Sequence, residues 1–171
     1  ATVVLVPADE TTTYGIRLLA DDITLEGLTL RGFSRQVITF GRLDRTQRNV
    51  TMRRVAAEGG IDGIRSVVVP SGPHATPLID ALLLQDVVIR GPSLTGFNCG
   101  EGPCNGVTME GITVEMQGDG GGSGADGIAF EAGERIRIDG ATVSGAGADG
   151  IDVKGRDVRI ARAHVRDVGR N

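Results

Sequence analysis

Two stretches of the chain contain the same five residues, Gly-Ala-Asp-Gly-Ile, with an aspartate at the centre of each. The aspartates are Asp126 and Asp149, and Asp152 and Lys154 follow the second copy. Two carboxylates held close together repel unless they share a proton or bind a cation, which suits acid–base catalysis or a Ca²⁺ site. We therefore take Asp126, Asp149, Asp152 and Lys154 as candidate catalytic residues, and Asp126 and Asp149 as candidate metal ligands.

A structural interpretation of the same aspartates stays open. Asp is common in turns because its carboxylate bonds to nearby backbone, and a following Gly tolerates positive φ. Asp62 also precedes Gly-Ile, so three aspartates share this setting. In this interpretation the repeated pentapeptide builds a scaffold and carries no chemistry.

Three arginines, Arg65, Arg137 and Arg159, are candidate ligands for an anionic substrate because they fall at outward positions of predicted strands. The alternative is that such residues are solvated or paired with nearby aspartates such as Asp139 and Asp157, at modest gain. The chain has no Trp and only one Tyr, whereas neutral-sugar sites usually offer aromatic faces. If the chain binds glycans, we expect acidic or sulfated sugars.

The two cysteines, Cys99 and Cys104, enclose a short tip that contains Gly and Pro. A loop this short can close as a disulfide, which is typical of oxidising compartments. Free buried thiols are the alternative, and zinc is disfavoured because two thiolates do not complete a site. The sequence therefore predicts a disulfide and a secreted or cell-surface location.

Composition and charge exclude several classes of protein. The 171 residues are 40% hydrophobic and carry a formal charge of −4, which fits one domain with a real core. There is no basic block, so we expect no nucleic-acid partner, and the apolar runs are too short for membrane insertion. All but one of the 18 basic residues are Arg, which suggests a GC-rich bacterial genome.

An eight-residue template repeats along the chain and predicts the architecture. It reads apolar, any, apolar, then two polar or small residues, then apolar, any, apolar again. Alternation with period two predicts short strands, and the interruption predicts a corner between them. Gly27, Gly111 and Gly140 occupy the second corner position, where glycine allows a left-handed backbone. The template fits six times, at ITLEGLTL, VTMRRVAA, LLLQDVVI, VTMEGITV, IRIDGATV and VRIARAHV.

A third strand precedes most of these pairs, as in GIRLL, VITF, GIRS, GIAF and GIDV. Each coil then has three strands and cannot bury its own inner face. Stacking in parallel, about 4.8 Å per coil, makes a continuous core. Three segments interrupt the period and are predicted as surface insertions, Pro70–Asp80, Pro92–Asn105 and Gln117–Ala125.

Three segments resemble coils of the right-handed parallel β-helix of the pectate-lyase-like superfamily: NVTMRRV, ERIRIDGATVSG and DGIDVKGRDVRIARAHVRDVG. The resemblance covers nearly the whole chain. It implies an all-β solenoid of about six coils, spanning residues 1–171 as a single domain. Because a further strand is expected after the last residues and neither end shows a capping helix, we expect a segment of a longer solenoid, or end-to-end association through uncapped coils.

The resemblance implies an extracellular module directed at an acidic polysaccharide, acting as a polysaccharide lyase by β-elimination or as a glycoside hydrolase. In lyases of this kind Ca²⁺ or Arg neutralises a uronate carboxylate, while Lys or Arg removes the adjacent proton. The chain lacks the Gly-His-Gly and Arg-Ile-Lys motifs of polygalacturonases and has no Asp-Pro-His motif. The alternative function is a non-catalytic structural, adhesin or filament segment.

Overall fold

The computed structural model describes residues 3–9, 11–68, 75–117 and 125–169. Strands and turns make up all of these residues, and no helix occurs among them. It follows that no described helix is long and apolar enough to cross a membrane. The predicted insertions Pro70–Asp80 and Gln117–Ala125 lie partly outside the described residues.

Nineteen strands form three parallel sheets, which we call sheets A, B and C. Sheet A contains β1 (Val3–Leu5), β4 (Leu28–Arg31), β7 (Ala56–Glu58), β10 (Val88–Arg90), β13 (Thr113–Glu115), β16 (Thr142–Ser144) and β19 (His164–Arg166). Sheet B contains β2 (Ile16–Arg17), β5 (Gln36–Phe40), β8 (Asp62–Ser66), β11 (Thr95–Cys99), β14 (Asp126–Phe130) and β17 (Ile151–Val153). Sheet C contains β3 (Ile23–Glu26), β6 (Gln47–Arg53), β9 (Ile79–Gln85), β12 (Cys104–Glu110), β15 (Gly133–Asp139) and β18 (Arg156–Ala161).

The chain passes through sheets B, C and A in turn and completes six coils, with β1 placed before the first. Every strand pairs in parallel with the equivalent strand of the next coil, which confirms the predicted parallel β-helix. The prediction that Pro92–Asn105 is an insertion interrupting the repeat was wrong. The segment Pro92–Asn105 contains strand β11, which pairs with both β8 and β14 and completes the fourth coil.

Inward-facing side chains stack in columns and form the core. On sheet C, Ile136 and Ile138 are at most 1% exposed and lie in register with Val107 and Met109 of the previous coil. On sheet B, the rings of Phe40, Phe97 and Phe130 form a stack with centroids 5.7 and 5.2 Å apart. Parallel stacking thus buries side chains that a single coil would leave in water.

The corner between sheets C and A has the same backbone conformation in every coil. The predicted glycines Gly27, Gly111 and Gly140 all have positive φ there, between 65° and 71°. The other three coils place Arg54, Asp86 and Arg162 at the same corner with φ of 50–52°. The stacking of the coils therefore imposes this turn. It does so even at residues other than glycine, where a left-handed backbone costs about 1–2 kcal/mol.

A column of glycines explains the repeated pentapeptide. Gly63, Gly96, Gly127 and Gly150 stack in sheet B, each facing a branched side chain of sheet A. A Cβ on Gly127 would lie 2.2 Å from Cγ1 of Val143 and 2.5 Å from the carbonyl oxygen of Gly150. Only glycine fits this position, so the glycine of the repeated Asp-Gly-Ile sequence is required by packing against sheet A.

We expect Ile138→Ala to lower the free energy of unfolding by about 2–5 kcal/mol, because it leaves a cavity in the closed core. Ile160 is the matched control: it lies in register one coil further on, yet is 45% exposed. Ile160→Ala should cost clearly less. Urea unfolding of both variants measures the difference, and equal losses would contradict the inward placement of Ile138.

Gly150→Ala should also destabilise the fold, because the new Cβ would lie 2.2 Å from Cγ1 of Val165. Val165→Ala removes that atom, so the double variant should recover part of the loss and give a favourable coupling energy. Gly127→Ala is the control, since its clash with the backbone oxygen of Gly150 cannot be relieved by shortening Val143. Thermal unfolding of the single and double variants tests this, and additive losses in the Gly150–Val165 pair would contradict it.

Candidate functional site

Sheet B is bordered by the corners at which the chain varies in length. The corner from sheet C to sheet A never exceeds two residues, as between Glu26 and Leu28. The corners leaving sheet B are uneven, with six residues between Phe40 and Gln47 but two between Phe130 and Gly133. Loops are where binding residues concentrate on a rigid scaffold, so the outward face of sheet B is the first place to look for a site.

Two columns of mostly polar residues run along sheet B. The first joins Gln36, Asp62, Thr95 and Asp126 through the parallel register. The second contains Arg17, Thr39, Arg65, Asn98, Ala129 and Asp152. Sequence analysis named Arg65 and Asp152 from the second column, and it placed Asn98 in a predicted insertion.

A cleft of about 270 Å³ opens on this face at the first three coils. It combines an aromatic ring, a cation, an amide and hydroxyl groups beside an apolar wall. Sequence analysis did not find this cleft, although the only tyrosine of the chain marks it. The lining residues are Tyr14, Arg17, Gln36, Thr39, Ser66, Val67 and Val68.

Arg17 supplies the cleft with a cation that the protein does not neutralise. Within the part of the chain that the structure describes, its guanidinium has no hydrogen bond or ion pair. Tyr14 is 46% exposed beside it. An aromatic face next to an uncompensated arginine can hold a ring that carries a carboxylate or sulfate group.

Arg65 instead lies in a network with two carboxylates. Its Nη1 atom is 2.9 Å from Oδ2 of Asp62, and its Nη2 atom is 2.6 Å from Oε1 of Glu101. Burial disfavours the charged guanidinium, but the hydrogen bonds to Asp62 and Glu101 outweigh this and raise the pKa of Arg65. The predicted substrate-binding arginine is therefore already occupied on two of its nitrogens.

This network leaves buried polar atoms without partners. They are Oδ1 of Asp62, Nε of Arg65, Oγ of Ser66 and Oδ1 of Asn98, all on the adjacent strands β8 and β11. Burying a polar atom unpaired costs about 1–3 kcal/mol, so such atoms are rare in folded proteins. In contrast, Gln47 is equally buried but bonds to the backbone of Leu18, Ala20 and Gly41.

The predicted disulfide between Cys99 and Cys104 is confirmed, with both cysteines fully buried and Cα atoms 6.3 Å apart. It closes the corner between β11 and β12. Glu101 lies in this closed loop, and from there it reaches Arg65 of the previous coil. The cross-link thus fixes the short loop that carries one of the two carboxylates of the network.

Asp126 and Asp149 are on adjacent coils, as their spacing predicts. Oδ1 of Asp126 accepts a hydrogen bond from the backbone nitrogen of Asp149 at 3.0 Å, a bond between coils and not the bond to nearby backbone that the turn interpretation expects. No cluster of three or more His, Cys, Asp or Glu residues suited to a metal ion occurs among the described residues. The pair therefore links two coils through the backbone, and a Ca²⁺ role for it stays a prediction.

Lys154 and Asp152 lie together on the sixth coil. Nζ of Lys154 is 2.9 Å from Oδ2 of Asp152 and 2.9 Å from Oε1 of Glu131. The hydrogen bond to Asp152, followed by that to Glu131, raises the pKa of Lys154. At neutral pH the amine stays protonated and is paired with two carboxylates, so it is unsuited to removing a proton.

Arg137 and Arg159 lie side by side in sheet C, on a different face from the cleft. Nη2 of Arg137 binds both carboxylate oxygens of Asp157, at 2.9 and 3.0 Å. Arg159 is exposed and makes no ion pair with any described residue. The structure therefore brings neither of them into the sheet B site with Arg65.

No family model, no curated protein and no solved structure matches this chain.

The charge state of Lys154 gives a direct test, because it is the only lysine of the chain and its NMR signal needs no assignment. We expect it to titrate above its ordinary value of 10.5. Asp152→Asn should lower this pKa, because Asp152 makes the largest contribution, and Glu131→Gln should lower it less. A side-chain ¹³Cε titration of each variant measures the shift. Titration at or below the ordinary value would contradict the ion pairs.

Proposed function

We propose that this chain is an extracellular, carbohydrate-directed β-helix that binds an acidic polysaccharide along the outward face of sheet B. The observation that carries the proposal is the cleft in which Tyr14 and the unpaired Arg17 lie beside Gln36 and Thr39. A sugar ring stacks on the tyrosine while its carboxylate pairs with the arginine. The disulfide supports an oxidising location, and the pectate-lyase-like resemblance supports the choice of substrate.

Cleavage of that polysaccharide, by a lyase or hydrolase reaction, is a second part of the proposal. The carboxylates Asp126, Asp149 and Asp152 belong to the fifth and sixth coils, and Asp152 shares the register column of Arg17 and Thr39, which line the cleft. Stacking about 4.8 Å per coil puts the fifth and sixth coils about 10 and 15 Å from the third one, so an extended polysaccharide chain reaches both. Lys154 already pairs with Asp152 and Glu131, so in this proposal it holds those carboxylates in place.

Tyrosine fluorescence provides the binding test, because the chain has one Tyr, in the cleft, and no Trp. Acidic polysaccharides should change this emission at saturable concentrations. Arg17→Ala should weaken binding about tenfold or more, because a charge-assisted hydrogen bond is lost. Arg31→Ala is the matched control, an exposed arginine on sheet A whose loss should leave the affinity unchanged.

The same panel of polysaccharides tests cleavage, with Ca²⁺ and then with chelator. Ultraviolet absorbance from unsaturated products that requires Ca²⁺ would support a lyase with Asp126 and Asp149 as metal ligands. New reducing ends without absorbance would support a hydrolase. No binding and no product across the panel would overturn the proposal in favour of the structural alternative.

A further inference from the structure

All of the orphaned buried polar side-chain atoms among the described residues are on two neighbouring strands. Asp62, Arg65 and Ser66 belong to β8, and Asn98 belongs to β11. Asp62 is fully buried, with Oδ2 held by Gln36 and Arg65 while Oδ1 has no partner. Because these atoms are concentrated on two paired strands, we treat them as one polar cluster.

The charge of the site argues against an anionic occupant. Two carboxylates, Asp62 and Glu101, surround one guanidinium, so the cluster formally carries one excess negative charge. A carboxylate or sulfate group placed here would meet repulsion from both acids. A metal ion is also disfavoured, because Arg65 is within the cluster and no three-ligand group of His, Cys, Asp or Glu is found among the described residues.

The buried atoms without partners are satisfied by a group that both donates and accepts hydrogen bonds. Oδ1 of Asp62 and Oδ1 of Asn98 need donors, whereas Nε of Arg65 needs an acceptor. A hydroxyl group provides both functions without charge. Two adjacent hydroxyls satisfy more of these atoms than one, because the acceptors lie on different coils.

The site adjoins the cleft that contains Arg17. Gln36 lines that cleft and donates its Nε2 hydrogen to Asp62, and Ser66 lines it as well. The outer cover consists of the side chains of Arg65 and Glu101, which are 16% and 23% exposed. These are long side chains with several rotatable bonds, so a ligand reaches the orphaned atoms when one of them rotates aside.

We propose that Asp62, Arg65 and Asn98 form a subsite for uncharged polar groups. It binds a vicinal diol of a saccharide, next to the carboxylate subsite at Arg17. This proposal rests on the proposed function. It divides the binding face of sheet B into one subsite for a charged carboxylate and one for uncharged hydroxyls. The carboxylate of a sugar is recognised in the cleft, and its neighbouring hydroxyls are recognised in the cluster.

Three forms of one uronic-acid polysaccharide separate the subsites: the native polymer, its carboxyl-reduced form, and a periodate-oxidised form whose vicinal diols are cleaved. We expect the carboxyl-reduced form to keep measurable binding by calorimetry and the periodate-oxidised form to lose at least tenfold in affinity. Asp62→Asn should weaken binding of the carboxyl-reduced polymer about tenfold, and Arg17→Ala should leave it nearly unchanged. Asp139→Asn is the matched control, because Asp139 is a half-buried acid of sheet C that also pairs with an arginine, Arg162.

Because Asp62 is buried in an ion pair, its variant must first be shown to unfold cooperatively. Asn98→Ala is the second variant: it removes an orphaned acceptor without breaking the ion pair, and should also weaken binding of the carboxyl-reduced polymer. If periodate-oxidised polymer binds as well as native polymer, the diol subsite is overturned while an effect of Arg17→Ala still supports the proposed function. Binding of only the reduced polymer supports the diol subsite and overturns the acidic substrate. Failure of all three polymers to bind overturns both.

Discussion

Parallel register between successive coils is the constraint on which the rest of this structure depends. Backbone hydrogen bonds hold each strand about 4.8 Å from its equivalent in the next coil, so every residue faces the same position one coil away. A property required at one position is then required again along the whole column. This is why glycines recur at Gly63, Gly96, Gly127 and Gly150, where sheet A leaves no room for a Cβ.

The same register organises the charges on the surface. Opposite charges meet one coil apart, as in Arg45 with Asp21 and Arg156 with Glu134. Each exposed pair contributes little, about 0–1 kcal/mol, but together the pairs neutralise neighbouring columns. Arg65 departs from this pattern because it is half-buried and shared between two carboxylates, and Arg17 because it lies in a cleft without an ion pair among the described residues.

Periodicity in the sequence was sufficient to predict the stacked strands and the adjacency of Asp126 and Asp149, because register follows from repetition. It missed β11, since Thr-Gly-Phe-Asn-Cys lacks the Gly-Ile of the other coils and lies between Pro92 and the disulfide loop. It also missed the cleft, whose lining residues Tyr14, Gln36 and Ser66 come from three coils and from a turn. Lateral contacts of this kind, such as that between Glu101 and Arg65, have no period and cannot be read from spacing.

The uneven corners around sheet B have a consequence for how such a protein can change over time. The short corner between sheets C and A is fixed by its left-handed backbone, so additions there would break the stack. Additions beside sheet B leave the inter-coil pairing intact, and their entropic cost grows only slowly with length. Descendants of this chain can therefore acquire a new ligand preference by exchanging rim segments, while the coils beneath keep their sequence and their stability.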